Sequence, residues 1–426
     1  MSVDYQKLRL FGVYQQDKEE NLMLRVKIPA GLLTSAQALE IAAISTECSN
    51  GVLHLSCRGS MEFHWLKHPQ LEDIFSRLNQ VGLTTRGACG GAVRGIACST
   101  SFSAQYLLVQ RLAQKLNDHF AGNAEFEGLP KKFKVSVDAG YQGSRHLIQD
   151  VGLVLVSADG EPPCYDVWCG GGLGRLPQAG FLLQRAVPQT QLIHLIESVT
   201  QVYRENTPPP KRVKFLLNQV GEEKFRSLLQ QEMAQRPVVE LPQDADSEAL
   251  ESLVFHEIPV FAGELPAERL VALAKFAAAH DGQLATTADQ NIALVAATPT
   301  TLETMRQEFQ DQQSEGANFH PRFRVCPGNH ECRMGLAPTR DIARKIDAHI
   351  SESAQNKSWA ISGCSNSCSQ PQLANYGIVT SKLPRDENGE RQPLFDLYRR
   401  DGDGLGQRIE KELSAERLYE IIRTLK

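Results

Sequence analysis

Apolar residues along this chain switch between two periods. In "SAQALEIAAI" (35–44) they recur every three or four positions, the spacing of an amphipathic helix, whereas in "VLHLSC" (52–57) they alternate as in a half-buried strand. The unbroken run "VGLVLV" (151–156) predicts a buried strand. The pattern also repeats. Residues 28–78, from "IPAGLL" to "EDIFSRL", are echoed by residues 258–309, from "IPVFAG" to "ETMRQEF". Gly31 pairs with Gly263, Gly51 with Gly282, Met61 with Ile292 and Phe63 with Leu294, and each copy reads strand, helix, strand, helix, which is half of a ferredoxin-like unit. A second echo links 150–174 with 375–406. Both stretches run strand, polar turn, strand and glycine-rich loop, and then lead into the helical segments "QLIHLIESVTQVY" and "SAERLYEIIRTL".

Two echoes in one order predict an internally duplicated α+β chain with pseudo-twofold organisation. Its parts are a first ferredoxin-like half over 1–79, an α/β unit over 80–240, a second half over 250–315 and a related α/β unit over 320–426. "PPP" (208–210) and the acidic "LPQDADSEALES" (241–252) are the linker signals, and the second separates the copies. A duplication places a shared site where its copies meet, and the copies can diverge to hold different parts of it.

Composition narrows the function classes. With a net charge of −5 and dispersed bases, the chain does not read as a nucleic-acid binder. No apolar run approaches the roughly eighteen residues of a membrane span. The N-terminal stretch has acids on both sides of its bases and lacks an apolar signal region, so a cytoplasmic location is expected. In a reducing compartment ten cysteines point to buried thiols, metal ligands or redox groups rather than a disulfide framework.

Four of those cysteines fall in two pairs within turn-forming, polar surroundings: Cys326 and Cys332 in "CPGNHEC", then Cys364 and Cys368 in "GCSNSC". Four thiolates suit zinc or an iron–sulfur cluster. A five-residue interval is unusual for a zinc knuckle, while cluster ligands reach separate irons and tolerate varied spacing, so the pattern favours the cluster. Cys48, Cys57, Cys89, Cys98, Cys164 and Cys169 read as buried thiols.

"C-P-G-x-x-x-C" followed by "G-C-x-N-x-C" resembles the signature of the siroheme- and 4Fe-4S-dependent sulfite and nitrite reductases. "MLRVKIPAG", "LSCRGSMEFHW", "ACGGAVRGIAC", "LPKKFK" and "GGGLG" occur in that family's order along nearly the whole chain. The resemblance implies a 4Fe-4S cluster on Cys326, Cys332, Cys364 and Cys368, with Cys368 also the axial ligand of siroheme. It further implies that Arg25, Arg94, Lys132 and Lys134 bind and protonate a small anion, and residues two apart in a strand can converge on one ligand. Siroheme carries eight carboxylates, and cations must offset their burial. Ser56, Arg58, His64, Lys131, Lys211, Arg212, Lys214 and Asn366 are the candidates for holding it, with Gly171 and Gly172 giving close backbone approach.

The implied reaction is six-electron reduction of sulfite to sulfide, with nitrite as an alternative substrate. Lys134, where nitrite-preferring relatives tend to carry asparagine, favours sulfite. With no second ferredoxin-type motif and no flavin or nicotinamide fingerprint, electrons are expected from an external donor such as ferredoxin or a flavoprotein reductase. A ferredoxin-type nitrite reductase and a precorrin-3B synthase-like enzyme are the alternative readings, and the intact set of anion-binding cations argues against the second. The same cations argue against a non-catalytic carrier of siroheme or cluster. Two departures stand out: Glu62 where the family usually has glutamine, and serines in "GCSNSC" where proline and glycine are common.

Overall fold

The computed structural model describes residues 4–99, 105–158, 162–241, 254–296, 299–310 and 322–425. Most of the acidic linker signal lies outside the described residues.

"SAQALEIAAI" forms the Ser35–Cys48 helix, begun by a capping box in which the Gln37 N–H donates to Thr34 Oγ1 and the Thr34 N–H to Gln37 Oε1. Its buried face, Ala38, Ile41, Ala42 and Ile44, packs on the equivalent helix Ala267–Ala279 of the second copy. Both helices carry alanines on the buried face, which lets their backbones approach closely. One apolar core runs through residues of both copies, from Val13 to Leu83 and from Ile258 to Phe309.

Two sheets flank that core. The first is antiparallel, in the order Val13–Gln15, Leu22–Val26, Met61–Leu66, Val52–Leu55 and Glu264–Pro266. The second, also antiparallel, runs Val254–Ile258, Ile292–Ala296, Gln283–Thr286 and Leu32–Leu33. Each copy thus lends a short strand to the other's sheet.

The α/β units share one topology. In the first, Ala97–Cys98, Val135–Asp138 and Val151–Ser157 are parallel, and Cys164–Cys169 and Phe181–Pro188 continue antiparallel. In the other, Arg322–Val325, Ser358–Ser362 and Tyr376–Lys382 are parallel, then Leu394–Arg399 and Gln407–Leu413 antiparallel. Gly152 and Gly377 occupy the same place in the two sheets. An added Cβ would meet His146 Cα at 2.6 Å in one and the Pro371 carbonyl oxygen at 2.2 Å in the other, so both admit only glycine against the preceding 3-10 turn. The ferredoxin-like copies match as finely: Ala30 and Ala262 have φ of 54° and 55°. The duplication read from sequence is therefore present down to single backbone torsions. The final antiparallel strand of each unit was not predicted.

Candidate functional site

A cavity of about 710 Å³ opens between the first antiparallel sheet and the loops of both α/β units. That is within the range of cofactor pockets. One wall is built by strand alternation. Met61 and Phe63 point into the core, while Glu62 and His64, on the other face of the same strand, line the cavity. Arg25 and Lys27 line it from the neighbouring Leu22–Val26 strand and the residue that follows.

The opposite wall holds thiols. Cys326, Cys332, Cys364 and Cys368 all line the cavity. Gly363 N–H donates to Cys326 Sγ at 3.1 Å, and the Asn366 backbone and side chain donate towards Cys364. Burial pushes the Cys326 and Cys364 thiols up and that of Cys332 up to about 11, so holding them as thiolates takes a strongly cationic partner such as iron. Among the described residues no three His, Cys, Asp or Glu side chains converge on one ion. A cluster takes its thiolates on separate irons rather than on one ion. These sulfurs, with N–H donors aimed at them, fit a cluster.

Between the walls lie the cations. Arg94, Lys132 and Lys134 line the cavity beside Arg25 and Arg58. Arg94 is buried; one terminal nitrogen donates to Gly90 O at 3.0 Å and the other, Nη1, has no partner. A buried guanidinium nitrogen without an acceptor is costly, and an anionic ligand would satisfy it. Burial, reinforced by Arg212 and Arg94, pushes Lys132 down to about 8; burial and Lys132 push Lys134 well below the usual lysine range. Lys27 is likewise pushed down to about 8, first by burial and then by Arg94. This crowding of buried positive charge suits a ligand as anionic as siroheme or sulfite.

Arg58 donates to Gln149 Oε1 at 2.7 Å and to the carbonyls of Gly95 and Val135, so its guanidinium is aimed while still lining the cavity. Ser56 lines the cavity, and its Oγ accepts from the Ser60 N–H within a turn. His64 Nδ1 lies 3.2 Å from Gln16 Oε1.

The other candidates lie outside the cavity lining. Lys131 is exposed, and Lys211 Nζ sits 4.8 Å from the centroid of the Phe215 ring. Arg212 makes a buried two-point pair with Asp150, at 2.8 and 3.2 Å, and donates to Gly171 O. Lys214 Nζ donates to the carbonyls of Gly172, Leu173 and Leu176. These two cations brace the glycine loop.

Sequence reasoning passed over three residues. Lys27 could have been found, since it lies two positions after Arg25 and shares its face. His54, opposite Glu62 in the sheet, carried no local signal. Asp150 carried none either; its carboxylate accepts from the Lys134 backbone N–H at 2.8 Å as well as from Arg212, and so anchors the lysine pair.

The fold and the site together define an oxidoreductase architecture for an anionic tetrapyrrole beside an iron–sulfur cluster. Comparisons with known proteins agree. The family model described as "Nitrite/Sulfite reductase ferredoxin-like half domain" matches residues 14–81, and "Nitrite and sulphite reductase 4Fe-4S domain" matches residues 91–237. The latter is the first α/β unit, whereas the four paired cysteines lie in the second. "Sulfite reductase [ferredoxin]" of Mycobacterium tuberculosis is 26% identical over 86% of this chain and 71% of its own. "Ferredoxin--nitrite reductase" of Synechococcus elongatus is 26% identical over 98% of this chain and 88% of its own. The solved structure of Mycobacterium tuberculosis NirA protein shares the fold, with a TM-score of 0.83, 23% identity, and coverage of 98% of this chain and 85% of that one.

The chain belongs to the nitrite and sulfite reductase family, and is an oxidoreductase with siroheme and a 4Fe-4S cluster as cofactors.

Proposed function

We propose that the chain reduces sulfite to sulfide, with nitrite as a second substrate. The observation that carries this reading is the single cavity in which four paired thiols face Arg25, Arg94, Lys132 and Lys134. A sulfite dianion takes six electrons and seven protons and leaves as hydrosulfide and three waters. When bound, siroheme and the cluster supply the electron storage and the iron at which the anion is reduced.

The protein's own residues do the rest. Cys326, Cys332, Cys364 and Cys368 would hold the cluster, and Cys368 would also help to hold siroheme, as the family resemblance implies. Arg58 and His64 steady the macrocycle. Arg94 offers the anion its unpartnered Nη1. Lys132 and Lys134, whose burial weakens their hold on protons, are suited to pass a proton to oxygen leaving as water. Lys134 is also what tilts the site towards sulfite. Electrons come from an outside donor, for which ferredoxin is the class named in the relatives.

The test is to purify the protein from cells that make siroheme, record its absorption spectrum, and assay both anions with a chemical reductant. A siroheme spectrum with a higher kcat/KM for sulfite is expected. A colourless protein with zinc as its only metal, or one that reduces neither anion, overturns the proposal.

A further inference from the structure

Glu62 is an acid set among the cations that line the cavity, which Glu331 also lines. On the antiparallel ladder it stands directly opposite Arg25 on one side and directly opposite His54 on the other, so the three side chains lie in a row on the cavity face of the sheet. A single carboxylate oxygen, Oε1, accepts from Arg25 Nε at 2.8 Å and from Arg25 Nη2 at 2.6 Å. The other oxygen lies 3.7 Å from His54 Nδ1 and 3.6 Å from His64 Nε2. The Glu62 side chain is 7% exposed and that of Arg25 30%, so of the two residues at the cavity wall Arg25 is the more open.

Two consequences follow. Two guanidinium nitrogens are engaged from one side, which fixes the plane of Arg25, and Nη1, turned away from the clamp, donates to Ala88 O at 3.5 Å and towards Cys89 Sγ at 3.7 Å. The carboxylate also cancels one positive charge close to where an anion would bind. Burial works against the ionised carboxylate, but the Arg25 guanidinium together with His54 and His64 offsets it and holds Glu62 well below the usual carboxylate range.

We propose that Glu62 is a positioning and specificity residue: it clamps Arg25 and removes one net positive charge from the anion site, and so limits how strongly the site prefers a dianion, sulfite, to a monoanion, nitrite. This rests on the function proposed above. Sulfite, with twice the charge of nitrite, responds twice as strongly to each unit of site charge.

The charge series Glu62→Gln, Arg25→Gln and the Arg25→Gln/Glu62→Gln pair tests it, using holoenzyme in its oxidised, non-turning-over state. Dissociation constants for sulfite and nitrite are read from the absorption spectrum at a pH where sulfite is fully ionised. Glu62→Gln raises site charge by one, and the preference for sulfite should rise by about tenfold. Arg25→Gln should lower it by a similar factor. The pair restores the original charge, so its ratio should return to that of the unaltered protein even though both anions bind more weakly for want of the clamped guanidinium. A merely structural role would change siroheme content and melting temperature without ordering the three ratios by charge, and that result overturns the proposal. Should Glu62→Gln fail to fold, the comparison of Arg25→Gln with the pair decides the same point: equal ratios in those two sink it. An unaltered protein that carries siroheme but binds and reduces neither anion defeats the proposed function instead, a separate outcome.

Discussion

Asp150 supports the site without lining its cavity, and replacing it with asparagine tests how the lysine pair is anchored. Its carboxylate is fully buried, pairs with Arg212 at two points and accepts the Lys134 backbone N–H. Asparagine keeps the volume but loses the charge. Breaking a buried ion pair from one side costs about 3–5 kcal/mol, because the surviving charge stays buried. A weakened Lys134 hydrogen bond adds about 1 kcal/mol. At about 2–4 °C per kcal/mol for a unit of this size, the melting temperature should fall by about 10–20 °C. Circular dichroism on heating and in urea reads the loss. The Asp150→Leu/Arg212→Met pair, which leaves no lone charge, should recover most of it. A fall of less than about 3 °C in Asp150→Asn, or a double variant no better than the single, would refute the reasoning.

Three further predictions concern other parts of the molecule. Ser367, in the loop between the last two paired cysteines, has φ of 54°, a left-handed conformation that costs an L-residue about 1 kcal/mol, so Ser367→Gly should gain up to about 1 kcal/mol in urea unfolding; a loss of stability counts against it. Burial raises the Asp138 carboxyl to about 6, so between about pH 4 and 6 the folded chain keeps a proton that the unfolded chain releases. Stability from this group therefore falls as pH rises through that window, and Asp138→Asn should be more stable than the unaltered protein by about 3 kcal/mol at pH 7 but not at pH 4; equal differences at both pH values would show that the shift is not there. Lys134→Asn should lower the ratio of kcat/KM for sulfite to that for nitrite by roughly tenfold, and an unchanged ratio removes Lys134 from substrate choice.

What the sequence disclosed depended on range. Alternation in "VLHLSC" shows a strand because one of its faces meets the core and the other the polar cavity, whereas its hairpin partner Met61–Leu66 was not read from the sequence. The repeat is legible because both copies bury the same helix face. The edge strand Gln407–Leu413, "QRIEKEL", is largely exposed and carries no apolar alternation, so nothing local marks it. The candidate cations show the same limit. Charge type alone groups Arg212 and Lys214 with Arg94, yet the first two are turned to Asp150 and to carbonyls of the glycine loop, partners that only the fold brings near. The clamp on Arg25 is a cross-strand contact over 37 residues. The sequence marked Glu62 as a departure from the family's glutamine but did not identify Arg25 as its partner.

The exchanged strands bear on how the chain is made. Glu264–Pro266 closes the edge of a sheet whose other four strands end at Leu66, and Leu32–Leu33 adds to a sheet whose remaining strands begin at Val254. During synthesis the N-terminal sheet must therefore wait, with the edge of Val52–Leu55 uncovered, while some two hundred residues leave the ribosome. An uncovered edge is a template for the wrong partner, another nascent copy included. Slow translation between the copies lengthens that exposure, and expression at high chain density should favour intermolecular pairing of the first copy of one molecule with the second copy of another.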